Sequence, residues 1–229
     1  MQGIKPRLFS WVFWIFLSLC FGLNYGFALK TKSICPPPVF EAETKINEKN
    51  CRFENNDENL ICDGEFLFWN PSQMPNVLTS LRINGTKLNN LPACSFFSFS
   101  INTIIIEENI NLTKIDANTF VGVKNLTRLI IKKNSKLDLP NLFRILSGLS
   151  DLKELVLDEN LISSSKNDSD DEVMEDFDAH LDSLEIISLF GNQLQTISIG
   201  FFKPIKNSPI KELILQDCSI QTVEPGKRK

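Results

Sequence analysis

An eleven-residue pattern, L-x-x-L-x-L-x-x-N-x-L, recurs along most of this chain and constrains its fold more than any other feature. Copies begin at Leu78, Ile101, Leu126, Leu152, Leu184 and Ile210, spaced 23, 25, 26, 32 and 26 residues apart. Asn109, Asn134, Asn160 and Asn192 fill the ninth place; Thr86 and Cys218 fill it in the first and last copies. The L-x-L centre of each copy alternates apolar and polar residues, as a half-buried strand does. Leu81 and Ile83, Ile104 and Ile106, Leu129 and Ile131, Leu155 and Leu157, Ile187 and Leu189, and Leu213 and Leu215 therefore point inward. One copy cannot bury its own apolar face. Six copies stacked in parallel share one continuous core, and about three suffice for a stable stack.

The motif resembles the leucine-rich repeat. The fold class it implies is an α/β solenoid: a curved parallel sheet, with turns and short helices on the convex side. The ninth-place Asn turns inward where the strand ends, and its amide satisfies backbone groups that a dry interior leaves unpaired. Connecting segments set apolar residues ahead of each strand, as in Phe120-Val123-Leu126, Leu146-Leu149-Leu152 and Phe177-Leu181-Leu184. One extra residue after Asn109 and Asn134 delays Leu112 and Leu137 by a place, a small bulge in the turn.

Residues 1–28 have the build of a secretory signal: basic Lys5 and Arg7, an apolar run from Leu8 to Leu23, and small Gly26 and Ala28 before a cleavage point. No later stretch is apolar enough to span a membrane, so the mature chain is expected to be extracellular and secreted. Triplets for N-glycosylation occur at Asn84, Asn111, Asn125 and Asn167. Cys20 leaves with the signal. Cys218 sits in the inward ladder and reads as a buried free thiol. Cys35, Cys51, Cys62 and Cys94 form an even set around the first repeat, and three pairings are open to them. They would staple an N-terminal cap over residues 29–76, which covers the first strand's apolar side. Within it Glu41 to Glu58 is polar and turn-rich, and Leu60-Ile61-Cys62 reads as a short strand. Residues 77–226 then hold the six repeats, and 227–229 are a basic tail.

Loss of Lys5 and Arg7 lowers the basic count from 24 to 22 against 28 acids, a net charge of about −6 with the one His neutral. That disfavours nucleic acid and anionic membranes as partners. His180 is the lone histidine, and no nucleophile motif, Gly-rich phosphate loop or C-x-x-C or H-E-x-x-H metal motif appears. The expectation is a non-enzyme with no cofactor and no metal. The long fourth gap carries an acidic insert at 163–178. Asp168, Asp170 and Glu172 alternate as in a calcium loop, but Val173 stands where such a loop needs Gly, so a solvated loop is expected.

Binding therefore falls to the concave strand face. Its middle column reads Arg82, Ile105, Ile130, Val156, Ser188 and Ile214; the next reads Asn84, Glu107, Lys132, Asp158, Phe190 and Gln216. Ile105, Ile130, Val156 and Phe190 are the expected apolar contacts for a protein partner, in an exposed stripe. Lys132, Lys133, Asp158 and Glu159 would set selectivity. A sugar on Asn84 would direct a partner toward the later repeats.

Two segments resemble repeats of arthropod extracellular proteins: Leu213 to Gly226, and Cys35-Pro36-Pro37-Pro38 ahead of a Cys-bearing cap. Some of those proteins are similar to the non-catalytic subunit of a secreted shrimp luciferase; Toll-type and Slit-type ectodomains are more distant likenesses. The resemblance implies protein binding without catalysis. Cys51-Arg52-Phe53 departs from the usual C-x-C doublet of such caps. After Pro225-Gly226 the basic tail stands where a Phe usually opens the next segment. The last repeat's core is thus expected to face solvent, which allows self-association through that end, fraying, or truncation of a longer receptor-like chain.

Overall fold

The computed structural model describes residue 35 and residues 50–64, 78–139, 142–163, 178–198 and 200–224. Residues 1–28, read above as signal-like, Asn167, nearly all of the acidic insert (164–177) and the basic tail lie outside the described residues.

Within the unit from Cys35 onward, every copy of the motif supplies one strand of a common sheet. The strands are β3 (Ser80–Asn84), β5 (Thr103–Glu107), β7 (Arg128–Lys132), β8 (Glu154–Val156), β9 (Ile186–Ser188) and β11 (Glu212–Ile214). They run parallel and in register, so that Leu81, Ile104, Leu129, Leu155, Ile187 and Leu213 form one row. The first five of that row are fully buried. Each such side chain contributes about 1.5–3 kcal/mol of transfer free energy, which is what binds one coil to the next.

The N-terminal edge is closed differently. β1 (Cys51–Glu54) and β2 (Asn59–Cys62) form an antiparallel hairpin, and β2 then pairs parallel to β3. The short strand at Leu60–Cys62 was legible in the sequence, but β1 lies inside the stretch read as turn-rich. Its residues Cys-Arg-Phe-Glu show no long apolar alternation. They become a strand because Cys51 lies opposite Cys62 and is bonded to it, and because Phe53 packs on the core. Of the three possible pairings, the structure has Cys51–Cys62 and Cys35–Cys94. The second bond ties residue 35 to the first repeat's connecting segment.

The convex side has the expected turns and short helices, with turns predominating. Among the described residues it has one four-residue helix, α1 (Leu142–Ile145), and one 3-10 turn (Lys203–Ile205). Elsewhere turns alternate with two-residue ladders: β4 (Asn90–Leu91) with β6 (Lys114–Ile115), and β10 (Thr196–Ile197) with β12 (Thr222–Val223). The arcs are too short and too rich in Asn, Ser and Thr to sustain helical turns, and these residues bond neighbouring backbone instead. Thr119 Oγ1, for example, donates to the carbonyls of Leu91 and Pro92 at 3.1 Å each. Phe96 stacks on Phe120 at 5.4 Å between ring centres and meets Phe99 edge-on, filling the space between arcs. Of the expected inward residues, Phe120, Leu126, Leu146, Leu149, Leu152, Leu181 and Leu184 are buried, Val123 is half-buried, and Phe177 lies outside the described residues.

Candidate interaction surface

The position of each outward side chain is set by what happens at the end of its strand. Asn109, Asn134, Asn160 and Asn192 are buried in a ladder of amides. Asn109 N donates to Asn134 Oδ1 at 3.0 Å, and Asn134 N donates to Asn160 Oδ1 at 3.0 Å. Asn134 Nδ2 donates to the carbonyls of Ile106 and Lys132. At the long fourth gap a different donor is used: Ile162 N, two residues beyond Asn160, donates to Asn192 Oδ1 at 3.2 Å. At the front, Thr86 donates from both its N–H and its hydroxyl to Asn109 Oδ1. At the back, Cys218 Sγ donates to Leu189 O at 2.9 Å. Cys218 is the buried free thiol that its ladder place predicts, and burial pushes its pKa up.

The residue just before the ladder adopts a left-handed backbone in all six repeats: Gly85, Glu108, Lys133, Glu159, Gly191 and Asp217, with φ from 53° to 68°. Each of the first five donates its N–H to the seventh-place carbonyl of the next repeat, at 2.7–3.2 Å. The strand pairing thus continues past the strand while the chain bends in. This kink turns Glu108, Lys133 and Glu159 away from the strand face and leaves them exposed at its rim.

On the face itself, Ile105, Ile130 and Val156 are adjacent and in register. The stripe is less open than strand alternation implies. Ile105 and Val156 are half-buried, and Ile130 is only 8% exposed. A β-branched neighbour on each side shields the middle residue, so the expected exposure of Ile130 is corrected. Ile186 and Phe190 lie further along and are half-buried.

The flanking charges are also not free. The Glu107 side chain is 5% exposed and accepts from Arg82, while Lys132 Nζ sits 3.4 Å away on the other side. Three strands are thereby tied by one carboxylate between two cations. At the strand starts Arg128 pairs with Glu154 at 2.8 Å. Lys133 reaches Glu108 at 4.0 Å. Asp158, expected to set selectivity, uses Oδ1 to accept from the Ser188 hydroxyl and from Phe190 N at 3.1 Å. It therefore orients the β8–β9 end of the face. Sequence reasoning missed that these residues satisfy one another across strands.

Of the asparagines in N-x-[ST] triplets, Asn125 is exposed on the turn before β7, Asn111 is half-exposed, and Asn84 is half-buried on the strand face. His180 is exposed, and its N–H donates to Asp178 at 2.9 Å. That bond, together with Asn207, holds the Asp178 carboxyl below its usual range. These bonds fix the exit of the acidic insert. Among the described residues no three His, Cys, Asp or Glu side chains gather as a metal site would need, and no helix is long and apolar enough to cross a membrane.

No protein-family model matches the chain, and no curated protein matches it by sequence. Solved structures similar to it include human 5T4 (Wnt-activated inhibitory factor 1, trophoblast glycoprotein), at 17% identity and a TM-score of 0.39 over 72% of this chain and 79% of that one. Another is TLR13 in its complex with ssRNA13, at 21% identity and a TM-score of 0.42 over 68% of this chain and 23% of that one. The chain thus spans less than a quarter of the TLR13 chain. Its own parallel register and buried asparagine ladder make this protein a leucine-rich-repeat solenoid.

Proposed function

We propose that this chain is an extracellular, glycosylated protein-binding module whose strand face holds a protein partner. The observation that carries the reading is the in-register run of Ile105, Ile130 and Val156, continued by Ile186 and Phe190, on a sheet that is preordered by its ladder. A rigid sheet loses little entropy on docking, so modest apolar contacts suffice. The two disulfides support an oxidising compartment, as the signal-like residues 1–28 and the sequons do. Lys132, Lys133, Asp158 and Glu159 border the stripe and would select the partner by shape and by their remaining hydrogen-bonding capacity.

The test uses Val156→Asp and Phe190→Ala, which alter half-buried side chains, rather than Ile130, where a charge would be forced into the sheet. Tagged wild-type protein and each variant are used to capture partners from native extracellular fluid. A partner retained by the wild type should be weakened roughly tenfold or more by each change, as for central interface residues. Equal capture by all three proteins would refute the strand-face site.

A second reading, a complex-stabilising non-catalytic subunit, is favoured by the exposed Leu213, Ile220 and Val223 of the last repeat.

A further inference from the structure

Charge on the strand face alternates from repeat to repeat. The third, seventh and eighth places read Thr103, Glu107 and Glu108 in the second repeat, Arg128, Lys132 and Lys133 in the third, and Glu154, Asp158 and Glu159 in the fourth. In the fifth they read Ile186, Phe190 and Gly191. The repeats of β7 and β8 thus set three cations beside three anions at matching places, with Ile130 and Val156 level between them. Much of this charge still faces solvent. The side chains of Arg128, Lys132 and Lys133 are 49%, 35% and 45% exposed. Glu159 is exposed, and among the described residues neither it nor Asp158 forms an ion pair with a cation of its own chain.

A two-fold axis parallel to the strands, midway between β7 and β8, turns this pattern on itself. It lays β7 of one copy over β8 of the other, face to face, with both strands still pointing the same way. Arg128 then faces Glu154 of the mate, Lys132 faces Asp158, Lys133 faces Glu159 and Ile130 faces Val156. Symmetry makes each contact twice. Arg128 and Glu154, already paired at 2.8 Å within one chain, form with their mates a square of alternating charge. β5 lies over β9, where no like charges meet. Axes in the two neighbouring gaps match less. Between β5 and β7 only Glu107 with Lys132 and Glu108 with Lys133 are opposed; between β8 and β9 only Arg128 with Glu212 and Lys133 with Asp217 are. A strand laid over itself brings like charges together: Lys132 meets Lys132 in β7, and an antiparallel crossing sets Arg128 against Lys132. Faces of this kind are hollow, so two of them lie furthest apart at the centre. Long side chains stand there, Arg128, Lys132 and Glu154 among them, and can span the gap.

We infer, on the strand-face reading above, that the protein partner held there is a second copy of this chain, stacked face to face about this axis. The contact is isologous and uses up the face on both copies, so it closes as a dimer. Asn84 would face Gln216 of the mate, so a sugar on Asn84 and this dimer exclude one another.

The experiment uses the 229-residue chain, secreted and oxidised, with Asn84→Gln to keep that place free of sugar. Sedimentation over a concentration series should show a monomer–dimer equilibrium. Lys133→Glu sets a like charge against Glu159 of the mate, and Glu159→Lys sets one against Lys133. Each should weaken the dimer at least roughly tenfold. Mixed in equal amounts, the two single variants should form a heterodimer about as strong as the parent dimer, because each new charge then faces its opposite. Repair within one chain cannot produce that rescue. Unchanged circular dichroism and urea midpoints show that the variants fold. A monomer at every concentration overturns the inference, as does a dimer that both variants keep or that mixing fails to restore. If the chain stays monomeric while Val156→Asp abolishes capture of a different protein, the strand-face site stands and only its occupant is wrong.

Discussion

The ladder asparagines are the residues on which most of the backbone around the turns depends. Asn134 accepts from Asn109 N and donates to the carbonyls of Ile106 and Lys132, all in a buried setting. Asn134→Ala would leave the buried Asn109 N–H without Asn134 Oδ1, at about 1–3 kcal/mol, and would take one bond each from the carbonyls of Ile106 and Lys132, the latter still held by Glu108 N, at about 1 kcal/mol each. A loss of about 3 kcal/mol or more is expected in urea unfolding. Thr86→Val, which removes one hydroxyl bond to Asn109, should cost about 1 kcal/mol. Equal costs for the two would contradict the ladder's role. These asparagines were legible because spacing and residue type coincide. The left-handed backbone beside them was not: Gly85 and Gly191 hint at it, but Glu108, Lys133 and Glu159 have no intrinsic preference for positive φ and are held there by pairing with the next repeat.

At the scale of elements, the strands of the repeats were legible from period-two alternation, and the cap was legible as an even set of cysteines and one short strand at Leu60–Cys62, but not as a hairpin. What alternation cannot convey is lateral shielding. It marks Ile130 as outward, and Ile130 is outward, yet the register with Ile105 and Val156 covers it. Nor does a list of charges reveal that Glu107 lies between Arg82 and Lys132, which are 25 residues away on either side in sequence. The two disulfides differ in what they constrain. Cys35–Cys94 closes a separation of 59 residues and Cys51–Cys62 one of 11. Chain-entropy reasoning gives about 4 and about 3 kcal/mol, so replacing the Cys35–Cys94 pair by serines should lower the urea midpoint more than replacing the Cys51–Cys62 pair. The reverse order would mean that the hairpin, rather than the long tie, holds the cap.

For the whole molecule, a stack in which each coil touches only its neighbours need not be equally stable along its length. The core row is fully buried from Leu81 to Ile187 and opens at Leu213. Amide exchange in this 229-residue chain should therefore be slowest in β5 and β7 and at least roughly tenfold faster at Leu213 and Leu215. Uniform protection from end to end would show instead a single all-or-none unit.

The pairing of Arg82, Glu107 and Lys132, and of Arg128 with Glu154, has a kinetic consequence. Arg128 and Glu154 cancel at a distance, Glu107 offsets one of the two cations beside it, and physiological salt screens the remaining charge over about 8 Å. A partner of the proposed strand-face site would feel little pull toward the centre of this sheet and would reach it by largely undirected collision, at roughly 10⁵–10⁶ M⁻¹s⁻¹ and with little dependence on added salt.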